Sequence, residues 1–495
     1  MKPWHKKSIS LLLLAAMLTA SSAVFSACGD SASSEESNTV SIPPVKSESA
    51  PEDLFPYQEG TYNGASFDFM IVRTGYAGQD YDDIWVEEDS AEGLSAAVYN
   101  RNLQVEERHD ITIHAEAFGN PTGDIPNLVM ADNGTYDAIQ EKLVNMMGTL
   151  VIQGYLHNIR DIDTLYLEAP WYDNNVMNSA SIAGQVYFFG GDIEVSDKMG
   201  LAVIAFNKKL AIDHQLPDLY ETVKNGEWTL DLLHTFSSAG TVDINGDGKL
   251  TKEDQWGLIA EDFFGWFFLI SNGNLIAEKD DEDIPYLTVY SEKAVTDLEA
   301  IMNLMYDDTA RAGHGFNAED YTNVFSENRA LFHANVLSSI TLLREMEADF
   351  GIIPLPKYDV FQADYQTTFS PWVARYIAVP SSNTELDMTG VILDAMSRSG
   401  GVADAYYDVV LTGRTIRDGE SSAMLDITFD SVVCDIGACY NWNNVWFMYQ
   451  SFFSSGSRNF ASKWQSIENG AQAGMESTIE YYQTAIVPVQ TTEGE

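Results

Sequence analysis

Short apolar runs and amphipathic stretches alternate along the first part of the chain. Phe67-Asp68-Phe69-Met70-Ile71-Val72 reads as a strand ending at Thr74-Gly75. Residues 94–108 carry Leu94, Val98 and Val105 on one face and predict a helix. A second strand is expected at 111–114 and a third at 136–139, ahead of a helical stretch at 144–154. Strands alternating with helices predict an α/β unit with a largely parallel sheet. Ligands of such sheets sit beyond the carboxyl ends of strands, which points to Tyr76 and to Gln140-Glu141.

The pattern then changes. Strands are expected at 185–189 and 201–206, followed by a helix-rich region over 208–347. Within it Val336, Leu337, Ile340, Leu343 and Glu347 have the spacing of an amphipathic helix ending near Gly351. Residues 351–354 and 374–379 are strand-like. Trp464, Ile467, Ala471, Met475, Ile479 and Tyr482 place one apolar stripe on a C-terminal helix. No solenoid-type repeat is visible, and nothing beyond the leader is apolar for long enough to span a bilayer.

Ahead of these elements, Lys2, Lys6 and Lys7 precede an apolar run at 9–17 and small residues leading to Ser26-Ala27-Cys28. A charged start, a short apolar centre and a small-residue exit make residues 1–27 a secretory signal. Phe25-Ser26-Ala27-Cys28 resembles a bacterial lipobox, in which cleavage exposes a cysteine that becomes lipid-modified; Phe25 stands where an aliphatic residue is usual. Residues 28–55, rich in Ser, Glu and Pro, bury too little apolar surface to order themselves and read as a leash. The expected location is the outer face of the cytoplasmic membrane, held by a palmitate-type anchor at Cys28.

Composition narrows the partners. With 27 basic and 74 acidic residues and a net charge of −47, the chain repels nucleic acid and anionic lipid, which excludes nucleic-acid binding. Cys434 and Cys439 would lie about 140° apart on a helix and could not bridge there. In a loop they could form a small disulfide; two buried free thiols are expected.

The sharpest motif is the stretch 243–254, which fits the twelve-residue calcium loop. Calcium takes six to eight hard oxygens. Asp243, Asn245, Asp247, the Lys249 carbonyl and Asp254 can supply them, with Gly248 at the sharp turn. A single loop without an exit helix suggests a structural site. No HExxH, Walker, GxSxG or Rossmann glycine pattern is present, and the eight His are scattered. Trp171-Tyr172, Phe263-Phe264-Gly265-Trp266, Trp372, and Trp442 with Trp446 lie near segment ends. Flat rings beside polar groups suit sugars, whose C–H faces are apolar while their hydroxyls need hydrogen bonds.

These segments together resemble the extracellular solute-binding proteins of family 1, the lipoprotein component of bacterial ABC sugar importers. The resemblance rests on Ala97-Val98-Tyr99-Asn100-Arg101-Asn102 with Val105-Glu106-Glu107-Arg108, Gly226-Glu227-Trp228-Thr229-Leu230, the calcium-like loop leading to Trp256-Gly257, and Phe350-Gly351-Ile352-Ile353-Pro354-Leu355-Pro356. It implies an α/β, two-lobed, periplasmic-binding-protein-like (type II) fold with a hinge and an interlobe cleft. Lobe I is expected over 56–205 plus 375–412 and lobe II over 206–374 plus 413–490. Crossings are placed near 204–208 and 372–378, with a third before the C-terminal helices. Position alone assigns the ligand contacts to Tyr76, Glu141, Asp192, Trp266, Trp372 and Trp442. The implied function is that of a non-catalytic monomer which captures a carbohydrate and closes on it for a permease. The rivals are a surface-anchored glycoside hydrolase and a binding protein for peptides or another non-sugar solute.

Overall fold

The structure, a computed structural model, describes residues 55–73, 80, 82–87, 93–119, 121–131, 134–313, 315–416 and 418–485. The leader, Cys28, all but the last residue of the expected leash, and Tyr76 lie outside the described residues.

The described strands are β1 (Ala65–Val72), β2 (Ile111–Phe118), β3 (Ala138–Lys142), β4 (Ala202–Asn207), β5 (Trp256–Ile259), β6 (Ala277–Lys279), β7 (Pro285–Leu287), β8 (Arg311–Ala312), β9 (Ala330–Val336), β10 (Phe350–Ile353) and β11 (Arg375–Ala378). They form two main sheets. Sheet one has the order β11-β3-β1-β2, with β1 parallel to both β2 and β3 and β11 antiparallel to β3. Sheet two has the order β10-β4-β9-β5-β8, in which β5 runs parallel to β8 and β9 while β4 opposes β9 and β10. A hairpin of β6 and β7 stands apart.

Local sequence explains these elements. In β1, Phe67 and Phe69 are buried while Ser66 and Asp68 are not, and from Met70 to Val72 both faces are covered, as in a layered parallel sheet. Helix α1 (Gly93–His109) buries Leu94, Val98, Arg101, Asn102, Val105 and His109, one stripe at helical spacing. Helix α2 (Phe264–Ser271) is buried on every side, which its sequence FGWFFLIS requires. Helices α3 (Gly419–Asp430), α4 (Ile436–Tyr440), α5 (Val445–Ser455) and α6 (Phe460–Ala485) close the described chain.

Among the described residues three segments pass between the sheets. The first, 190–201, leads from beside β11 into β4; the second, 367–376, returns. They run antiparallel side by side: Phe189 bridges Ile377, Leu201 bridges Phe369, and Ser370 N donates to Gly200 O at 2.9 Å. The third follows α3, where Val433 N donates to Thr367 O at 2.8 Å and the Thr368 hydroxyl to Val433 O at 2.8 Å.

Several expectations change. The division at 205/206 cuts β4, whose paired residues all belong to sheet two, so the change of sheet and the first crossing fall before Ala202 instead of at 204–208. The division at 412/413 falls inside one helical stretch, Tyr406–Thr415. The end of α6 lies against sheet-one neighbours, with Gln185 Nε2 donating to Tyr482 O at 2.6 Å. Residues 185–189 form no strand; they lie extended with single bridges at Gln185 and Phe189. The helix expected from Val336 is mostly absent: β9 ends at Val336 and only the short Leu337–Ile340 turn and a 3₁₀ turn follow. Its apolar spacing is real, with Leu337, Ile340 and Leu343 all buried, but those side chains pack beneath a strand end.

Candidate functional site

At the carboxyl end of β3, Glu141 is fully buried and its carboxylate accepts Lys142 N at 2.7 Å and Asn145 Nδ2 at 3.2 Å. Arg375, opposite Lys142 in the register, bonds Asp80 at 2.6 Å. Burial pushes the Lys142 amine below its ordinary value, against the pull of Glu141. This end of sheet one is thus lined with charges that are already engaged.

The carboxyl ends of β5 and β8 open onto a cavity of about 330 Å³, near the lower bound of ligand pockets. Glu261, Asp262, Phe263, Tyr321, Gln450 and Ser454 are among its walls. The Arg311 side chain, fully enclosed beneath, donates to Ala260 O, Met305 O and Asp262 Oδ1, the last at 2.7 Å. That guanidinium fixes the Asp262 carboxylate. The Glu261 carboxyl is pushed up by burial and then by the Asp262 charge.

Phe263 leads from this cavity into an aromatic cluster centred on Trp446 of α5. Ring centroids lie 6.1 Å from Trp446 to Trp266, 5.9 Å to Trp372, 6.5 Å to Phe263 and 5.3 Å to Phe447. The indole N–H groups of Trp266, Trp372 and Trp446 are all enclosed without a hydrogen-bond partner among the described residues. Each such buried donor costs about 1–3 kcal/mol. Three of them fall in one cluster.

Trp442 is elsewhere. It stacks on Tyr440 at 5.1 Å and 5°, and its indole donates to Thr478 of α6 at 2.9 Å, the role of a strut. The left-handed residues Asn441, Asn443 and Asn444 turn the chain sharply between α4 and α5, giving Trp442 and Trp446 different surroundings. Among the expected contacts, then, Trp266 and Trp372 come together, Glu141 lies at the end of β3, and Asp192 sits half-buried on the first crossing facing Lys198. Of the pair Trp442 and Trp446, it is Trp446 that packs with Trp266 and Trp372. Glu261 and Asp262 were hidden among 74 acids.

No family model matches the chain, and no curated protein sequence matches it. Solved structures do. One is an ABC transporter solute-binding protein from Thermotoga lettingae, bound with α-D-tagatose, at a TM-score of 0.54 and 13% identity, covering 84% of this chain and 100% of the other. RafE from Streptococcus pneumoniae matches at 0.53 and 11%, covering 86% and 99%. The maltose/maltodextrin-binding domain MalE from Bdellovibrio bacteriovorus, bound to maltotriose, matches at 0.51 and 15%, covering 85% and 100%. The fold is the two-lobed type II solute-binding fold.

Sheet one is therefore the core of lobe I, sheet two that of lobe II, and the three crossings are the hinge. Strand ends carrying Glu141 and Arg375 belong to lobe I, the cavity and α2 to lobe II, and Trp372 to the second hinge strand.

A buried polar network ties the first hinge strand to lobe I. Gln140 Nε2 donates to Glu194 at 2.7 Å and to Asp83 at 3.2 Å, while Asp83 accepts Ser196 Oγ at 2.6 Å and Val195 N at 3.0 Å. Arg101 Nη1 donates to Ile193 O at 2.5 Å, and burial lowers its pKa to about 10 against the pull of Asp83 and Glu194. Burial, then the Asp197 and Asp83 charges, push Glu194 far above its usual range. Asp137 and Asp197 are raised to about 6 and Asp435 to about 7, in each case chiefly by burial. Because these folded-state values exceed the ordinary 3.8, the folded chain keeps protons that the unfolded chain has released. Their stabilising contribution is full at low pH and lost as pH rises through 6 to 7. The melting temperature should therefore climb as pH is lowered from about 8 to about 6. A flat or falling profile in differential scanning fluorimetry would refute this.

In the calcium-like loop, Asp243 accepts Gly246 N at 2.7 Å and Gly248 N at 2.8 Å, Asn245 accepts Asp247 N at 2.9 Å, and Asp247 accepts Lys249 N at 2.8 Å. Gly246 and Gly248 take positive φ of 71° and 79°. Buried Asp254 closes the loop by accepting Ile244 N at 3.0 Å and Thr251 N at 2.8 Å. Among the described residues no group of three or more His, Cys, Asp or Glu is positioned to hold a metal. The loop's remaining oxygens, the Asn245 amide and the Lys249 carbonyl, are ligand types that calcium accepts and softer metals do not.

Proposed function

We propose that this protein is an exported solute-binding protein that captures a carbohydrate between its lobes and presents it to an ABC importer permease, with no catalysis of its own. The observation that carries this reading is the Trp446 cluster. An aromatic cluster holding three enclosed indole N–H groups reaches, through Phe263, a cavity edged by Glu261 and Asp262, at strand carboxyl ends in a solute-binding fold. A pyranose combines these needs, with C–H faces for the rings, acceptor oxygens for the indoles and donor hydroxyls for the carboxylates. Similar structures solved with tagatose and maltotriose support the same class. The lobes would close on the sugar about the hinge, and the permease would read the closed form. In this proposal the chain acts as a monomer tethered through lipidated Cys28 at the outer face of the cytoplasmic membrane.

The test is a thermal-shift screen over mono- and oligosaccharides, peptides and amino acids. A sugar at one hundred times its Kd should add about 2.7 kcal/mol of stability. A shift with peptides alone overturns the sugar assignment. Cleavage of an oligosaccharide, abolished by substituting one carboxylate, overturns the binding-only reading.

We also propose that the loop at Asp243 takes calcium through Asp243, Asn245, Asp247, the Lys249 carbonyl and Asp254. The consecutive side-chain turns and the two positive-φ glycines support it. Bound calcium would screen the clustered carboxylates and fix the ends of the loop. Melting curves with calcium and with chelator should separate by several degrees; coincident curves would remove calcium from the account.

A further inference from the structure

We infer that Cys434 and Cys439 are the two halves of a disulfide that staples the third hinge strand to the first turn of α4. The argument against a bridge holds only if both cysteines are helical, and they are not. Asp435 is the N-cap of α4, its carboxylate accepting Gly437 N at 2.9 Å, so Cys434 stands one residue outside the helix and Cys439 in its first turn. This pair of positions, the residue before the cap and the fourth helical residue, is the one at which apolar side chains meet across a helix start. In the structure both thiols are free, as expected, with their Sγ atoms 3.6 Å apart and both residues buried, at 5% and 1% exposure. A bond needs about 2.05 Å, so the two sulfurs must approach by about 1.5 Å.

The surroundings already hold both ends in place. Before Cys434, Val433 is bonded to Thr367 and Thr368 of the second hinge strand. After it, Asp435 also accepts Ile276 N at 2.9 Å and Ala277 N at 3.4 Å. In forming the bond each thiol gives up one hydrogen. Two protons and two electrons pass to an external disulfide such as oxidised glutathione, which is cleaved to two thiols as the new S–S bond forms. Because the folded chain encloses both sulfurs, the exchange takes place before α4 docks.

The experiment uses the full chain recovered after export, with thiols trapped by an alkylating reagent in denaturant. Both cysteines fall on one tryptic peptide, residues 418–458, and Cys28 falls on another. That peptide should be lighter by two hydrogens and unalkylated, and should take two alkyl groups only after reduction. Two alkyl groups without reduction, or a glutathione adduct on either cysteine, would overturn the inference. Two controls separate the bond from mere packing. The C434S single variant should show one alkylated thiol without reduction. Reductant should lower the melting temperature of the native chain and leave that of C434S/C439S unmoved; equal sensitivity of both proteins would count against the bond.

Discussion

Replacing Trp446 with alanine should weaken sugar binding by at least about 30-fold, the equivalent of roughly 2 kcal/mol. Trp446 contacts Trp266, Trp372, Phe263 and Phe447, so its loss removes one platform and loosens the others. It is 7% exposed, and truncating a buried tryptophan also costs about 3–5 kcal/mol of stability. Affinity must therefore be measured by calorimetry on the folded fraction. Trp446→Phe keeps a six-membered ring but loses the pyrrole half of the indole together with its N–H, and should show part of that loss, about 1–2 kcal/mol. Trp442→Ala is the informative contrast, because Trp442 braces α6 through Thr478. Its melting temperature should fall while its Kd stays within about threefold of the parent, a change of roughly 0.7 kcal/mol. An unchanged Kd in folded Trp446→Ala would remove the cluster from the binding site.

The second large effect is expected at the hinge. Gly191 has φ of 135°, and a Cβ there would lie 2.2 Å from the Trp171 carbonyl oxygen and 2.9 Å from Tyr172 Cα. Both obstacles are backbone, and they are held in place because Asp192 N donates to that same carbonyl at 2.9 Å. Gly191→Ala must therefore pull the first hinge strand away from residues 171–172. Backbone strain and overpacking together should cost about 2–5 kcal/mol. The urea midpoint should drop with little change in slope. Gly184 supplies the control: its φ is 76° but nothing lies within 4 Å of its would-be Cβ, so Gly184→Ala should cost only about 1 kcal/mol. Equal losses at the two glycines would show that the close approach at Gly191 has no energetic weight.

What could be read in advance follows from which signals are local. The first three strands and α1 were legible because apolar positions alternate or recur at fixed spacing. The C-terminal helix was legible for the same reason, its stripe from Trp464 to Tyr482 set by helical periodicity alone. β5 was not, since its four residues Trp256 to Ile259 are buried on both faces and show no alternation. β9 was missed because Val336, Leu337 and Ile340 give the same spacing whether a helix starts or a strand ends there. Trp266 and Trp372, singled out for their chemistry and placement near segment ends, both pack on Trp446. The choice between Trp442 and Trp446 depended on three left-handed asparagines, whose effect on direction has no signature in hydropathy.

The order of strands in sheet one sets a schedule for synthesis. β1, β2 and β3 leave the ribosome early, but β11, which covers the open edge of β3, comes only after every strand of sheet two. Until then β3 presents unpaired backbone groups to whatever is nearby, the condition under which strands add to foreign edges. The sheet of lobe I is therefore completed after that of lobe II although it begins first, and a chain cut short anywhere before Arg375 leaves a sticky, unfinished sheet. Such fragments should aggregate rather than fold as a half-protein.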